Sequence, residues 1–235
     1  MWTPNALASE ARPLKADLWR VVEAQHRVAT MRLTDTLDEQ ALLEDLIEEV
    51  KPRVPAGCEG LHYLLFTPFR HAPYPAGSRF RRAGQLEGVF YASEAVATAF
   101  AEVAFHRRAF FAAAPGTKLP DTAAELTAFQ VRCAAPAVDL TQPPLVTDEA
   151  AWTDPSDYAA CQALADACRS AEVQAIRYRS VRDPGGGINV ALLAPAAFAQ
   201  KRPRNEQGWR MLITARSVRF WRDLPVAEAI EFGSG

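Results

Sequence analysis

No stretch of this chain approaches the roughly 20 uninterrupted apolar residues that a membrane-spanning helix needs. The opening MWTPNALASEARPLK also lacks the apolar core of a secretory leader, so the expectation is a cytoplasmic protein. Neither sign of charge is in excess: 26 basic residues face 28 acidic ones, a formal net charge of -2. No global field therefore draws the chain to nucleic acid or an anionic membrane, and any anion site must be local. The four cysteines, Cys58, Cys133, Cys161 and Cys168, form no CxxC pair, which excludes a zinc knuckle or a dithiol redox motif. They read as buried free thiols of a reducing compartment. Also missing are GxxxxGK[ST], GxGxxG after a strand, HExxH and GxSxG, which leaves the commonest nucleotide-loop, metalloprotease and hydrolase readings without a motif. The four histidines are scattered singly, and no metal site is expected.

What is present is enough chain for a full core: 235 residues, 49% hydrophobic and 23% charged. Residues 14–31 place Leu14, Leu18, Val21, Val22, Val28 and Met31 at helical spacing, and residues 36–51 repeat the pattern. The second of these expected helices carries Asp38, Glu39, Glu44, Asp45, Glu48 and Glu49, a charge run that ordinarily marks a solvated face. Pro52 and Pro55 close the segment.

Beyond Gly60 the texture changes to short apolar or alternating runs. LHYLLFT (61–67), GVFYA (88–92), TAFQVRC (127–133), QAIRYRS (174–180), INVALLA (188–194), WRMLITA (209–215) and VRFWR (218–222) read as strands. A helix is expected from an N-cap at Ser93 to about Ala114, and another from about Pro155 to Ser170. Hairpin-like pairs mixed with isolated helices point to an α+β fold rather than a doubly wound sheet. The tract 134–157, rich in Pro, Asp and Thr, reads as a long surface connection.

Two places invite chemistry. Residues 67–94 set Arg70, Arg79, Arg81 and Arg82 among glycines and prolines before a strand ending near Tyr91; guanidinium forks held by a turn suit a pyrophosphate, although a basic loop is often only a soluble surface. Residues 174–187, QAIRYRSVRDPGGG, deliver Ser180 to a glycine-rich corner, which could also be a plain hairpin turn. Glu102, on the helix after Ser93, falls on the flank with Thr98 and Phe105 and away from Phe100, Val103, Phe110 and Phe111. By periodicity alone it is a surface residue that can pair with His106.

GSRF (77–80), VFYASEAVATAFAEV (89–103) and RYRSVRDPGGG (177–187), in this order, resemble the RES domain, found as the toxin half of bacterial toxin–antitoxin modules. The resemblance covers about residues 60–220. It implies a RES domain over 57–232, preceded by an N-terminal helical extension over 1–56 typical of a longer subgroup, with residues 233–235 as an appended tail. The implied fold is α+β, with a mixed-sheet, ADP-ribosyltransferase-like core. The implied substrate is NAD+, consumed, with no metal. By position, Arg79, Glu102 and Ser180 correspond to the arginine, glutamate and serine of the family name, and Tyr91 and Arg70 to two further site residues. The form RFRRAG departs from the commoner RWNPPG, which leaves Arg81 and Arg82 as competitors of Arg79.

On this resemblance Glu102 stabilises the cationic sugar formed when nicotinamide leaves and can also hold a ribose hydroxyl, Arg79 and Arg70 clamp the pyrophosphate, Tyr91 packs on nicotinamide and Ser180 hydrogen-bonds the nicotinamide–ribose region. The longer subgroup is closer to members that ADP-ribosylate a protein, including phosphoribosyl pyrophosphate synthetase. The alternatives are an NAD+ glycohydrolase or phosphorylase that depletes NAD+, and a non-catalytic NAD+-binding or interaction module. The expected partner is a cognate Xre-like antitoxin with a DUF2384 domain.

Overall fold

The architecture is that of a computed structural model, which describes residues 2–24, 36–50, 52–70, 75–114 and 116–233. Among these, no helix is long and apolar enough to cross a membrane. A short helix α1 (Pro4–Glu10), capped by the Thr3 side chain, leads into β1 (Arg12–Glu23). The helix expected over 14–31 is therefore a strand as far as Glu23, and residues 25–35 lie outside the described residues. The reason is burial on both faces of its second half. Leu14, Ala16, Leu18 and Val22 pack on one side; on the other, Lys15 and Asp17 are exposed while Trp19 and Val21 pack, so the apolar residues of the two faces together imitate helical spacing.

Helix α2 (Leu37–Val50) forms where expected. The expected strand 61–67 is instead helix α3 (Tyr63–Arg70), a case of the ambiguity that short apolar runs carry. Then follow β2 (Phe90–Ser93), α4 (Val96–Ala112) and the long β3 (Ala124–Asp139). A 3-10 turn (Leu145–Asp148), the one-turn α5 (Glu149–Trp152) and α6 (Ala159–Ser170) come next. Strands β4 (Ala175–Arg179), β5 (Ile188–Leu192), β6 (Arg204–Ile213), β7 (Ser217–Arg222) and β8 (Glu228–Gly233) complete the chain.

The fold is α+β with a mixed sheet: β3 and β4 run parallel and the other pairings are antiparallel. The sheet closes on itself. β1 pairs with β3 from Arg12↔Ala137 to Glu23↔Leu126, while its other edge meets β2 at Trp19↔Ser93. With β2–β5, β5–β4 and β4–β3 this makes a ring of five strands, from which β6, β7 and β8 extend. Leu18, Phe90, Phe129, Ala175 and Val190, one from each ring strand, share a single core cluster, so this cluster is the ring's interior. Leu64, Leu65 and Phe69 of α3 plug it.

Two more clusters flank the ring. One lies under α6 and holds Leu140, Leu145 and Trp152. The tract 134–157 is thus not a surface connection: its first six residues finish β3, and its few large apolar side chains are anchors. The other lies between α4 and β6–β7, where the Phe100 ring meets Trp209 and Phe220 at 4.6 and 4.7 Å. All four cysteines are free and buried. Burial pushes the Cys168 thiol up to about 12 and that of Cys133 to about 11, so both stay protonated at neutral pH.

Candidate active-site cleft

β1 and β2 share one residue pair and then part, and a cleft of about 520 Å³ opens at the fork. Its walls are Trp19 to Glu23 of β1, Tyr91 to Ser93 of β2, one face of α4, and the segment after β4. Such a volume is that of an ordinary small-molecule site.

Glu102 reaches the cleft from α4. Its Oε1 accepts two hydrogen bonds, from Ser180 Oγ at 2.7 Å and from Asn189 Nδ2 at 2.6 Å. Asn189 is itself oriented by Ser93 Oγ, which donates to its Oδ1 at 2.6 Å. Oε2 lies 3.9 Å from His106 Nε2. The carboxylate is thus held by one oxygen, with the other left for chemistry. Ser93 caps no helix; it ends β2, and the N-cap position of α4 is Ala95. Tyr178, beneath the site, is hydrogen-bonded to Asn189, and burial with Glu102 nearby raises its phenol well above the ordinary value.

Ser180 is 3% exposed and does not line the cleft. Besides donating to Glu102, its Oγ accepts the backbone N–H groups of Arg182 at 3.2 Å and Asp183 at 3.0 Å. One donor and two acceptor sites are then all used. Ser180 thus stands behind Glu102 and holds its carboxylate, at the head of the following turn. The three glycines serve that turn. Gly186 adopts φ +66°, and a Cβ on Gly187 would stand 2.1 Å from Thr98 Oγ1 and 2.4 Å from Asp183 Oδ2. Thr98 donates to Asp183 at 2.7 Å and so ties α4 to the turn. Gly187→Ala is expected to break that tie and destabilise the fold by about 1–3 kcal/mol, read by urea unfolding; an unchanged midpoint would refute the tie's importance.

Of the competing arginines, Arg79 lines the cleft and Arg81 and Arg82 do not. Arg81 donates to the Gln85 and Leu86 carbonyls, and Arg82 pairs with Asp166. Arg79 is 8% exposed. Its guanidinium donates to the carbonyls of Trp152 at 2.7 Å and Asp154 at 2.9 Å and lies 4.6 Å from the Tyr158 ring centroid. Tyr91 holds the same loop: its hydroxyl accepts the Phe80 N–H at 3.0 Å and pairs with Ser78 Oγ at 2.8 Å. Burial raises its phenol despite these bonds. Arg70 is not brought to the site. It donates to the Pro52 carbonyl and faces the Phe66 ring.

The residue that sequence reading missed is Arg20. It sits in β1 at the fork, donates one hydrogen bond to the Tyr91 carbonyl at 2.6 Å and stacks 4.7 Å from the Phe90 ring centroid. Its Nε is buried without a hydrogen-bond partner. Burial lowers its pKa to about 10, so it remains a cation at neutral pH. The other cleft cations have company: Arg107 pairs with Glu23, while Arg182 donates to the Tyr158 hydroxyl at 3.2 Å and stacks 3.6 Å from the Phe105 centroid. A helix assignment over 14–31 hid Arg20, and strand alternation beside LWRVV was the signal that could have found it.

The RES domain family model matches residues 53–221, well over half of the chain. The chain belongs to the RES domain family. In this RES protein the matched region supplies Arg79, Tyr91, Glu102, Ser180 and Asn189, while β1, with Arg20, precedes it and still forms one wall of the cleft. Among solved structures, the RES chain is similar to one in the crystal structure of the M. tuberculosis MbcT-MbcA toxin-antitoxin complex. The identity is 16%, with 86% of this chain and 90% of that one covered and a TM-score of 0.49. No curated protein sequence matches this RES chain.

Proposed function

We propose that this RES protein is the toxin of a bacterial toxin–antitoxin module, which cleaves NAD+ at the nicotinamide–ribose bond and transfers ADP-ribose to a protein acceptor. Phosphoribosyl pyrophosphate synthetase is the acceptor class that the sequence resemblance favours. The observation that carries the reading is the Glu102 carboxylate, tethered by Oε1 to two buried donors at the wall of a cleft that also holds a partly buried cation, Arg20, whose Nε lacks a partner.

Loss of nicotinamide leaves positive charge on the ribose ring, and a preorganised carboxylate stabilises that charge without having to reorient during the reaction. Ser180 and Asn189 supply the preorganisation. Arg20 and Arg79 suit the pyrophosphate, since guanidinium groups bond phosphate oxygens with charge-assisted hydrogen bonds. Arg20 takes the role expected of Arg70. Tyr91 and Tyr158 offer ring faces against which flat heteroaromatic groups pack. A cognate Xre-like antitoxin, whose tail would fill the same cleft, is the expected restraint in the cell.

The direct test is nicotinamide release from NAD+ by purified, antitoxin-free protein in buffer, with phosphate, and with a lysate containing labelled NAD+. Label moving onto a lysate protein supports the transferase; release with buffer or phosphate alone makes the protein an NAD+-depleting enzyme. No release in any arm sinks the catalytic reading and leaves the binding module. Arg20→Met is expected to raise KM for NAD+ by about 10- to 100-fold, the value of one or two charge-assisted hydrogen bonds, with a smaller change in kcat. An unaltered KM would remove Arg20 from the pyrophosphate site.

A further inference from the structure

We propose that His106 is the proton acceptor for the nucleophile that captures the ADP-ribosyl group, an inference that rests on the reading above. His106 follows Glu102 by one turn of α4 and lines the same cleft, with a side chain 72% exposed and therefore open to an incoming acceptor. Its Nε2 stands 3.9 Å from Glu102 Oε2, the oxygen left untied by Ser180 and Asn189. A group that attacks the sugar beside Glu102 Oε2 thus passes within reach of the imidazole.

The two residues divide the work. During the step the bond from C1′ to the nicotinamide nitrogen breaks and its electron pair leaves with neutral nicotinamide. The acceptor oxygen or nitrogen bonds C1′, and its proton moves to His106 Nε2, giving an imidazolium that later loses the proton to solvent. Placing the proton on His106 keeps Glu102 negative while the sugar is cationic, which is when the carboxylate is needed. The imidazolium formed is in turn favoured by the adjacent carboxylate.

The charged groups acting on His106 are Glu102 on its own helix and Arg182 from the segment after β4; Glu23 and Arg107, paired with each other, line the same cleft. Partial desolvation against the cleft wall lowers the imidazole below its ordinary 6.5, Glu102 opposing and Arg182 assisting. His106 is therefore neutral, and able to accept a proton, at pH 7. This capacity is lost as the pH falls through its lowered pKa.

The test separates the acceptor step from bond cleavage. Exchange of labelled nicotinamide into NAD+ needs cleavage and its reversal but no proton from an acceptor; ADP-ribose formation from water needs both. His106→Gln is expected to lower ADP-ribose formation by about 10²-fold and to keep exchange within about threefold of wild type. The fall of wild-type activity on the acid side should vanish with it. In His106→Ala, added imidazole is expected to restore ADP-ribose formation. Equal ADP-ribose formation by His106→Gln and wild type would overturn the inference. So would a parallel loss of exchange without imidazole rescue, because His106 would then act only through the placement of Glu102. A wild-type protein that releases no nicotinamide would overturn the underlying reading instead, and this inference with it.

Discussion

Glu102→Gln is expected to lower nicotinamide release from NAD+ by about 10²–10³-fold, with the melting temperature close to wild type. Glutamine keeps the shape of the side chain and an oxygen that can accept from Ser180 Oγ and Asn189 Nδ2 as Oε1 does, so the local network survives. What disappears is the negative charge. At about 4 Å from a cationic sugar, with an effective dielectric constant near 20, a carboxylate contributes about 4 kcal/mol. That agrees with the range observed when a preorganised electrostatic group is removed from an active site. Nicotinamide quantified by chromatography, with a thermal melt on the same sample, decides the matter. Activity within about threefold of wild type would mean that Glu102 is a structural anchor of the cleft and not its catalytic charge.

Phe100→Ala is expected to destabilise the protein by about 3–5 kcal/mol, and at about 2–4 °C per kcal/mol for a chain of this size the melting temperature should fall by about 6–20 °C. Phe100 is fully buried and its ring is shared between Trp209 of β6 and Phe220 of β7. It lies two residues before Glu102 on α4, so it anchors the helix to the extension of the sheet while Thr98 anchors it to the turn at Asp183. Part of the proposed NAD+-cleaving activity should persist well below the new midpoint, because the tie through Thr98 and the donors to Glu102 remain. Calorimetry checks the first statement and an assay at low temperature the second. A shift under about 3 °C would show that α4 is held mainly by other contacts.

Much of the site was legible as spaced fragments. Tyr91 and Glu102 lie in the second and Ser180 in the third of the stretches that carry the family resemblance, and all three meet at the cleft or directly beneath it. Arg79 could not be told from Arg81 and Arg82 by sequence, since all three share one turn; the carbonyls of Trp152 and Asp154 draw Arg79 inward, and those of Gln85 and Leu86 hold Arg81 aside. Helical periodicity gave Glu102 a surface address and placed Phe110 with the core, yet Phe110 is exposed and Thr98 is buried. Helix α4 is packed on two sides, by β6 and β7 and by the turn at Asp183, and a helix buried on more than one flank has no single apolar stripe to read.

Local pattern determined β2 to β7, α2, α4, α6 and the order of the three motif stretches, because alternation, turn residues and caps act over a few neighbours. It could not determine that residues 12–23 are a strand, that 63–70 form the plug of the ring, or that Arg20 completes the cleft. Those outcomes depend on β1 meeting β3 at a separation of more than 100 residues, which buries both faces of an apolar run and turns a helical spacing into a strand. The position of Ser180 likewise depends on the fold: the sequence brings it to a glycine-rich corner, and tertiary packing sets that corner behind Glu102, where its hydroxyl bonds the carboxylate and two backbone N–H groups.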